Sequence, residues 1–262
     1  MAHEDEYHDA MVAAIELVWG DGFLAPGGEG NVANLIAGID VRDKLVLDIG
    51  CGIGGPACTL AGLHGARVVG SDLERSLLAR TRARVADQGL AARVSLVEVE
   101  PGPLAFADDS FDLVISSGAF TQTQDKLGMF RECHRILKPG GWLSAYDWMK
   151  PAGPYSKEML YWFELEGLTY AMETPERHGE LLREAGFGDV RIDDRSNWYR
   201  RHARAEYERI KSDYYPRMVE LIGEQQADHF TEDWRALTVV CERGEMLQVY
   251  CRGRKAGSGN AG

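Results

Sequence analysis

The chain has 262 residues, of which 45% are hydrophobic, and its formal net charge is −12. This length and apolar content suffice to bury one sizeable core, and α/β proteins of this size commonly form one domain. The acidic balance argues against a nucleic-acid partner, and no apolar run approaches the roughly 18 residues of a membrane span, which argues against membrane binding.

The first 40 residues are predicted to form a helical segment ahead of the sheet. Apolar side chains recur at helical spacing over 7–19, a glycine-rich loop follows at 22–28, and a second helix is predicted over 29–37. Because the segment precedes the first strand, we expect it to pack over the sheet or to cover its ligand-binding edge as a lid. The acidic N-terminus differs from a signal peptide, so we expect a cytoplasmic protein.

A glycine-dense turn follows the first predicted strand, which begins at Leu45. Gly50, Gly52 and Gly55 fit the Gly-x-Gly-x-x-Gly spacing, which is a weak signal when taken alone. Asp72 strengthens it, because it ends a second apolar strand about 20 residues on, where a carboxylate can bond ribose hydroxyls. The turn therefore predicts a site for a ribose-containing ligand.

Asp48 indicates which ligand that is. It lies two residues before the first glycine, close to where a pyrophosphate would sit. A carboxylate about 4 Å from a phosphate charge would cost roughly 4 kcal/mol at an effective dielectric near 20. S-adenosylmethionine (SAM) carries a sulfonium and an amino group and lacks phosphate, so the sign reverses. We therefore favour SAM over a nicotinamide dinucleotide, with an ordinary capped turn as the alternative.

Strands and helices then alternate, which predicts a parallel sheet with right-handed crossovers. The strands are expected near 45–49, 67–71, 93–98, 111–116 and 142–147, and the helices near 56–64, 74–88 and 125–137. Ligands of such sheets bind at the carboxyl ends of the strands. Five polar residues fall at or just beyond those ends, so one crevice is expected to gather them: Asp48, Asp72, Glu100, Ser116 and Asp147.

The amino-acid composition changes after Asp147. The stretch 148–172 is rich in aromatic residues, and 197–243 is predicted to form two or three helices. We interpret both stretches as helical cap elements. The intervening segments predict a helix starting at Thr174 with proline in its first turn, a strand near 189–194 and a final strand over 247–251. The tail 256–262 is expected to be disordered.

The residues 46–55 resemble motif I of the class I SAM-dependent methyltransferases. Three later motifs of that family follow in order, at 68–72, 111–116 and 135–141. The resemblance covers roughly residues 20–255. It implies a Rossmann-like, doubly wound α/β fold with a seven-stranded, mostly parallel sheet, an N-terminal helical segment and helical cap insertions, in a single domain over 1–255.

The same resemblance implies cofactor contacts. Gly50, Gly52 and Gly54 are expected to flank the methionine portion of SAM, and Asp72 is expected to hold the ribose. Three further groups complete the expected cofactor site: Leu73 and Glu100 at the adenine, Asp48 and Ser116 at the strand ends, and Leu24 from the N-terminal loop. Glu98 competes with Glu100, since it lies two residues earlier on the same strand face.

The N-terminal stretch allows a closer comparison. Tyr7, the Gly27-Gly28 loop, residues 124–126, Asp147-Trp148 and Trp234 resemble the phosphoethanolamine N-methyltransferases and their bacterial relatives. In those enzymes a tyrosine and a histidine close over the substrate as a catalytic pair. Tyr7 matches the tyrosine, but Gln122 stands at the histidine position and Gly118 at a preceding aspartate. An amide cannot take a proton at neutral pH.

The cations expected to hold phosphate in that family are also missing. In an ungapped alignment the arginine falls on Leu168 and the lysine on Leu237, while a neighbouring tyrosine survives as Tyr170. Charge-assisted bonds of this kind contribute roughly 1.5–3 kcal/mol each, so a phosphobase acceptor is disfavoured. The remaining candidates are aromatic or neutral and either pack the cap or enclose a cationic or planar acceptor: Trp148, Trp162, Tyr170, Trp198 and Tyr199.

We therefore expect N- or O-methylation of a small metabolite by a monomer or homodimer. Tyr7 and Gln122 are assigned to catalysis as groups that orient the acceptor, and Trp148, Trp162, Tyr170 and Trp198 to substrate binding. His178 and His202, in the cap region, and His8 could supply a base, but we interpret each of them first as a surface residue. Two alternatives stay open: a lyase that cyclises SAM and releases methylthioadenosine, and a SAM-binding partner subunit without turnover.

The cysteines predict no further chemistry. The chain has five of them, an odd number without Cys-x-x-Cys spacing, so neither a disulfide framework nor a zinc site is indicated. We expect all five to be reduced packing residues and no metal to be bound.

Overall fold

The computed structural model describes residues 9–168 and 170–257. Seven strands lie within these ranges and form one sheet. They are β1 (Leu45–Ile49), β2 (Arg67–Asp72), β3 (Val94–Glu98), β4 (Phe111–Ser117), β5 (Leu137–Met149), β6 (Gly188–Asp194) and β7 (Leu247–Arg254).

The sheet has the order β3-β2-β1-β4-β5-β7-β6. The pairings among β1 to β5 are parallel, and β7 runs antiparallel between β5 and β6. The chain order reverses at β1, where the next strand along the chain goes to one side and β4 to the other. This arrangement confirms the expected doubly wound, mostly parallel sheet, and it places the ligand crevice beyond β1 and β4.

Ten α-helices surround the sheet within the described ranges. They are α1 (Asp9–Trp19), α2 (Gly28–Leu35), α3 (Gly55–Gly62), α4 (Arg75–Asp87), α5 (Lys126–Ile136), α6 (Lys157–Glu166), α7 (Pro175–Glu184), α8 (Ser196–Ile210), α9 (Tyr215–Ile222) and α10 (Glu224–Glu242). One 3₁₀ turn, Ala119–Gln122, follows β4 and was not expected from the sequence.

Side-chain caps fix where several of these helices begin. Asp125 accepts a hydrogen bond from the Gly128 amide at 2.8 Å at the start of α5. Ser156 caps α6 in the same way, and Thr174 caps α7 ahead of its proline, as its sequence predicts. Each oxygen satisfies an amide that lacks a partner inside its helix.

Two predicted elements differ from the observed ones. The strand expected near 142–147 extends over the whole of β5, because β5 pairs with β4 on one side and β7 on the other. Among the described residues of the aromatic stretch 148–172, which leave out residue 169, only α6 is helical. Pro151, Gly153 and Pro154 precede α6, and these residue types disfavour a helix that would start directly after β5.

The buried apolar residues form three main groups. One packs α5 and α7 on one face of the sheet, and another packs α2, α3 and α4 on the opposite face. The third lies away from the parallel strands, where α1, α6, α8, α9 and α10 pack on one another. We call this third group of helices the cap.

All five cysteines are buried and free, as expected for packing residues. None of the helices in the described ranges combines the length and the apolarity needed to cross a bilayer.

Candidate active site

The turn after β1 depends on left-handed glycines. Gly50, Gly52 and Gly54 have φ values of +70°, +53° and +89°, a region that side-chain-bearing residues rarely adopt. A Cβ on Gly50 would lie 2.5 Å from Cβ of Ala119, and one on Gly54 would lie 2.5 Å from Cγ2 of Thr81. The turn therefore presents bare backbone to the crevice.

Asp72 is held in place by this turn. One of its carboxylate oxygens accepts from the Gly52 amide at 2.8 Å, and the other accepts from the Glu74 amide at 3.0 Å. The carboxylate keeps free lone pairs at the carboxyl end of β2, where a ligand's hydroxyls can donate to them. Burial raises its pKa, and the amide hydrogen bonds act in the opposite direction.

The two residues expected at the adenine flank Asp72. The Leu73 side chain is 53% exposed, which is unusual for a large apolar group beside a buried turn. Glu100 is exposed in the loop after β3, and the Val99 amide before it donates to the Asp72 carbonyl at 3.0 Å. The competing Glu98 is exposed and paired with Arg75 at 3.0 Å. Glu100 has no such ion pair among the described residues, and its role at the adenine stays a prediction.

Asp48 is fully buried, and neither of its carboxylate oxygens has a hydrogen-bond partner within the described chain. Burial, and then repulsion from Asp72, raise the pKa of Asp48 to about 7. The hydroxyl of Ser116, at the end of neighbouring β4, is likewise buried without a partner. Buried polar groups without hydrogen bonds destabilise the fold unless a ligand bonds to them. A cationic ligand would neutralise the Asp48 carboxylate.

The N-terminal loop lies directly on the glycine turn. The Gly55 amide donates to the Gly22 carbonyl at 2.8 Å, and Leu24 Cδ1 lies 3.2 Å from where a Gly52 Cβ would be. Arg84 joins the two segments, since it donates to the Ile53 carbonyl at 3.1 Å and to Asp21 at 2.6 Å. The predicted cofactor residue Leu24 is therefore brought to the motif turn.

Tyr7 and His8 lie outside the described residues, so their assigned roles stay predictions. Gln122 ends the 3₁₀ turn and is exposed. The neighbouring Thr121 carbonyl accepts from the Ala171 amide at 2.8 Å, which brings the Tyr170 segment close to Gln122. The segment of a predicted catalytic residue, Gln122, thus meets that of a predicted substrate-binding residue, Tyr170, beyond β4.

The predicted aromatic residues divide into three contacts. Trp148 packs on Tyr199, with ring centroids 4.7 Å apart. Trp162 is buried and stacks on Tyr170 at 5.1 Å, inside the cap. Trp198 is half-buried, and its ring lies 3.3 Å from where a Gly27 Cβ would be, at the N-terminal loop. The cap thus supplies an aromatic wall from several remote segments.

Sequence reasoning missed three polar residues in this region. The hydroxyl of Tyr146 and both amide atoms of Gln248 are buried without a partner in the described chain. Tyr146 Oη lies 3.7 Å from where a Gly118 Cβ would be, next to the 3₁₀ turn. Glu206, a third, is 3% exposed on α8.

The sequence contains patterns that could have identified two of these residues, Tyr146 and Glu206. Strand alternation from Asp147 puts Tyr146 on the opposite face of β5, and helical periodicity from Tyr199 puts Glu206 on the same face of α8. Gln248 gave no signal, because its neighbour across the sheet, Trp148, is known only once β7 pairs with β5.

The interpretation of His178 as a surface residue is wrong. It is fully buried on the other face of the sheet, with Nε2 at 3.4 Å from the Cys251 Sγ and its ring 4.9 Å from that of Phe130. Burial, assisted by Lys126, lowers its pKa to about 3, so it stays neutral there. His202 is exposed, as expected, and stacks on Trp198.

Comparison with known proteins adds a family to this geometry. Residues 47–145 match the family model of a methyltransferase domain. The chain is 26% identical over 242 residues to phosphoethanolamine N-methyltransferase 1 of Arabidopsis thaliana, covering 92% of this chain and 48% of that protein. The chain thus spans about half the length of the curated relatives it matches.

Two solved structures share the fold. Phosphoethanolamine N-methyltransferase 2 of Haemonchus contortus, in complex with S-adenosyl-L-methionine, superposes with a TM-score of 0.88 at 25% identity, over 97% of this chain and 58% of that one. The [4+2]-cyclase SpnF superposes with a TM-score of 0.78 at 20% identity, over 95% of this chain and 94% of that one. The second likeness concerns the fold alone and does not specify a reaction.

Proposed function

We propose that this chain, which belongs to the class I SAM-dependent methyltransferases, methylates a small molecule held between the carboxyl edge of the sheet and the cap. The observation that carries the proposal is a set of buried polar groups without partners in the described chain: the Tyr146 hydroxyl beside Gly118, the Tyr199 hydroxyl and the Gln248 amide. Buried polar groups are nearly always hydrogen-bonded, so these call for a ligand.

The cofactor fits the residues of the first crevice. The left-handed glycine turn leaves room for backbone contact, and the unpartnered Asp48 carboxylate suits a cationic ligand. Asp72 would hold the ribose, Leu73 and Glu100 the adenine, and Ser116 the methionine end near Asp48. When bound, SAM supplies a methyl group already activated by its positive sulfur.

The protein's share of the reaction is to align the acceptor and exclude water. Gly118 has φ +91° and no side chain, so it leaves space between the glycine turn and Tyr146. Trp148, Tyr170, Trp162 and Trp198 would wall the acceptor. Tyr7 and Gln122 would orient its reacting nitrogen or oxygen, and the N-terminal loop on Gly55 would close the crevice.

The tyrosine hydroxyls act as hydrogen-bond donors in this scheme. Burial raises the pKa of Tyr146 and that of Tyr199 well above the ordinary value, with nearby charges adding to it. Neither hydroxyl loses its proton near neutral pH, so neither is a general base. The acceptor must therefore arrive with an available lone pair or give its proton to solvent.

A phosphobase remains a poor fit. Leu237, at the position where the resemblance expects a lysine, is 4% exposed and packs inside the cap. Its neighbour on α10 four residues earlier is Asp233, a buried acid rather than a cation. A phosphate there would lack the charge-assisted bonds that such ligands need.

Product analysis tests the proposal. Purified protein is incubated with SAM, with and without a panel of small amines and hydroxyl compounds, and S-adenosylhomocysteine and methylthioadenosine are quantified. We expect S-adenosylhomocysteine only when an acceptor is added. Methylthioadenosine from SAM alone would replace the proposal with a cyclising lyase, and SAM binding without either product would indicate a partner subunit.

A further inference from the structure

Glu206 is a buried acid in the cap without an ion pair. Its side chain is 3% exposed, and its Oε2 accepts from the Trp234 indole at 3.4 Å. No Arg or Lys within residues 9–168 and 170–257 forms a salt bridge with it. Arg209 is the cation whose field reaches it, and that guanidinium is exposed and donates to Tyr214. Burial raises the pKa of Glu206, so the acid either holds a proton or is ionised beside a cation that joins it.

A second acid lies one residue from Trp234. Asp233 is 7% exposed and, like Glu206, takes part in no salt bridge with an Arg or Lys of the described chain. Burial, and then the nearby Glu166 carboxyl, raise its pKa well above the ordinary value. The interior of the cap thus holds buried carboxyl groups that no Arg or Lys of the described chain neutralises.

The Tyr199 hydroxyl is an independent sign of a ligand. It is buried, with the residue 1% exposed, and it has no hydrogen-bond partner in the described chain. After burial, the charge of Glu206 is the largest influence on its pKa, and Tyr146 and Glu166 also act on it. The hydroxyl is therefore buried in the field of these groups with its hydrogen-bonding capacity unfilled.

Aromatic rings complete the surroundings. Trp234 lies 5.4 Å from Trp19 and 4.2 Å from Phe230, measured between ring centroids. Trp148 packs on Tyr199 at 4.7 Å. A carboxylate among aromatic faces is the combination that stabilises an organic ammonium ion, through charge and through the negative faces of the rings.

We propose that the acceptor carries a positively charged ammonium group, which Glu206 binds among Trp19, Trp148, Trp234 and Tyr199. This inference rests on the proposed function. A phosphate placed there would be repelled by the Glu206 carboxylate, whereas an ammonium ion is attracted to it. The acceptor class is therefore a small organic amine without a phosphate, and where the ammonium nitrogen is itself methylated it first gives its proton to solvent.

Ligand pairs that differ only in charge test this inference without altering the protein. Choline and its uncharged carbon isostere, 3,3-dimethyl-1-butanol, are titrated by calorimetry into full-length protein saturated with S-adenosylhomocysteine. We expect choline to bind at least tenfold more tightly than the isostere, and phosphocholine to bind more weakly than choline. Equal affinity for choline and the isostere, or tighter binding of phosphocholine, would overturn the inference.

Matched variants then locate the charge. Glu206→Gln should lower choline affinity at least tenfold and leave the isostere unaffected, while Glu208→Gln, an exposed change on the same helix, should alter neither. Retained binding of S-adenosylhomocysteine shows that each variant folds. Unchanged choline affinity in Glu206→Gln contradicts the assignment of Glu206.

The two proposals fail in different ways. Methylation of neutral acceptors only would leave the proposed function intact and remove the cationic acceptor. Choline binding at Glu206 without transfer to any amine would retain the cation site and remove the methyltransferase activity.

Discussion

The glycine turn and the cap interior bury acids in opposite ways. Both oxygens of Asp72 accept backbone amides from residues close to the turn, so the acid is held by its own chain. Glu206 is approached by indole groups from other helices, with Trp234 at 3.4 Å and Trp19 also acting on it, and the Tyr199 hydroxyl has no partner in the described chain. Asp72 is therefore satisfied before a ligand arrives, whereas Asp48 beside it and the polar groups in the cap are left for a ligand to satisfy.

This difference separates cofactor binding, which relatives can share, from acceptor binding, which can differ between them. A site built from a local turn can bind the same cofactor in many relatives, because its geometry depends on few residues. A site built from α8, α10 and β7 changes with each substitution in the cap. Under the proposed function, the acceptor is therefore selected in the region where the chain's local sequence says least.

The largest effect is expected at Asp72. Asp72→Asn should weaken SAM binding by about 10²-fold or more, since one charge-assisted bond contributes roughly 1.5–3 kcal/mol and two ribose hydroxyls are available. Calorimetry measures the affinity, and Asp87→Asn, an exposed change on α4, serves as the control. Unchanged affinity in Asp72→Asn would remove the cofactor assignment.

The docking of the N-terminal loop on the turn is tested at Gly55. A Cβ there would lie 2.2 Å from the Gly22 carbonyl oxygen, so Gly55→Ala should displace the loop and destabilise the protein by about 1–3 kcal/mol. Gly62→Ala on the same helix meets only Leu90 methyl groups at 3.8 and 3.9 Å and should be neutral or stabilising. Chemical denaturation compares them. Equal stabilities would show that the loop does not depend on this contact.

The pH dependence of SAM binding should report the Asp48 carboxyl. Its pKa in the folded protein is about 7, above the ordinary 3.8, so its contribution to stability is present at low pH and is lost as pH rises through about 7. A cationic ligand favours the ionised form, so SAM affinity should rise about tenfold from pH 6 to pH 8.

Asp48→Asn provides the comparison for that titration. Calorimetry at both pH values should show that the variant keeps only the dependence that comes from SAM itself. A wild-type profile that matches the variant would mean that Asp48 does not meet the positive charge.

The smallest effect concerns two tyrosines that face each other across β5 and β7. Tyr250 donates to Asn31, so Tyr250→Phe should destabilise the protein by about 1 kcal/mol. Tyr146 has no partner, so Tyr146→Phe should leave the unliganded protein as stable or more stable, while weakening acceptor binding. Thermal unfolding checks the pair, and a clear loss of stability in Tyr146→Phe would place a partner on its hydroxyl.

Much of the cofactor half was predictable because its signals are local. The glycine turn, Asp72 and the strand-helix alternation all follow from short-range conformational preferences, and the structure has strands where they were predicted. The roles assigned to Gly50, Gly52, Gly54 and Asp72 remain predictions, as do those of Tyr7 and Gln122.

For the cap, the sequence predicted which residue types occur but not which of them contact one another. The aromatic richness of 148–172 is visible in the sequence, but the stacking of Trp162 on Tyr170 and of Trp148 on Tyr199 is not. His178 was misassigned for the same reason, since its helix buries it against Cys251 on a strand far along the chain.

The sequence by itself determined the α/β class, the glycine turn and a preference for a positively charged cofactor, because each depends on residues near one another in the chain. Only the tertiary structure decided that β7 runs antiparallel beside β5 and that Tyr146, Tyr199, Gln248 and Glu206 are buried in and beside the cap. Burial and the loss of water come from packing between remote segments, and they decide whether a polar side chain is satisfied by solvent or left for a ligand.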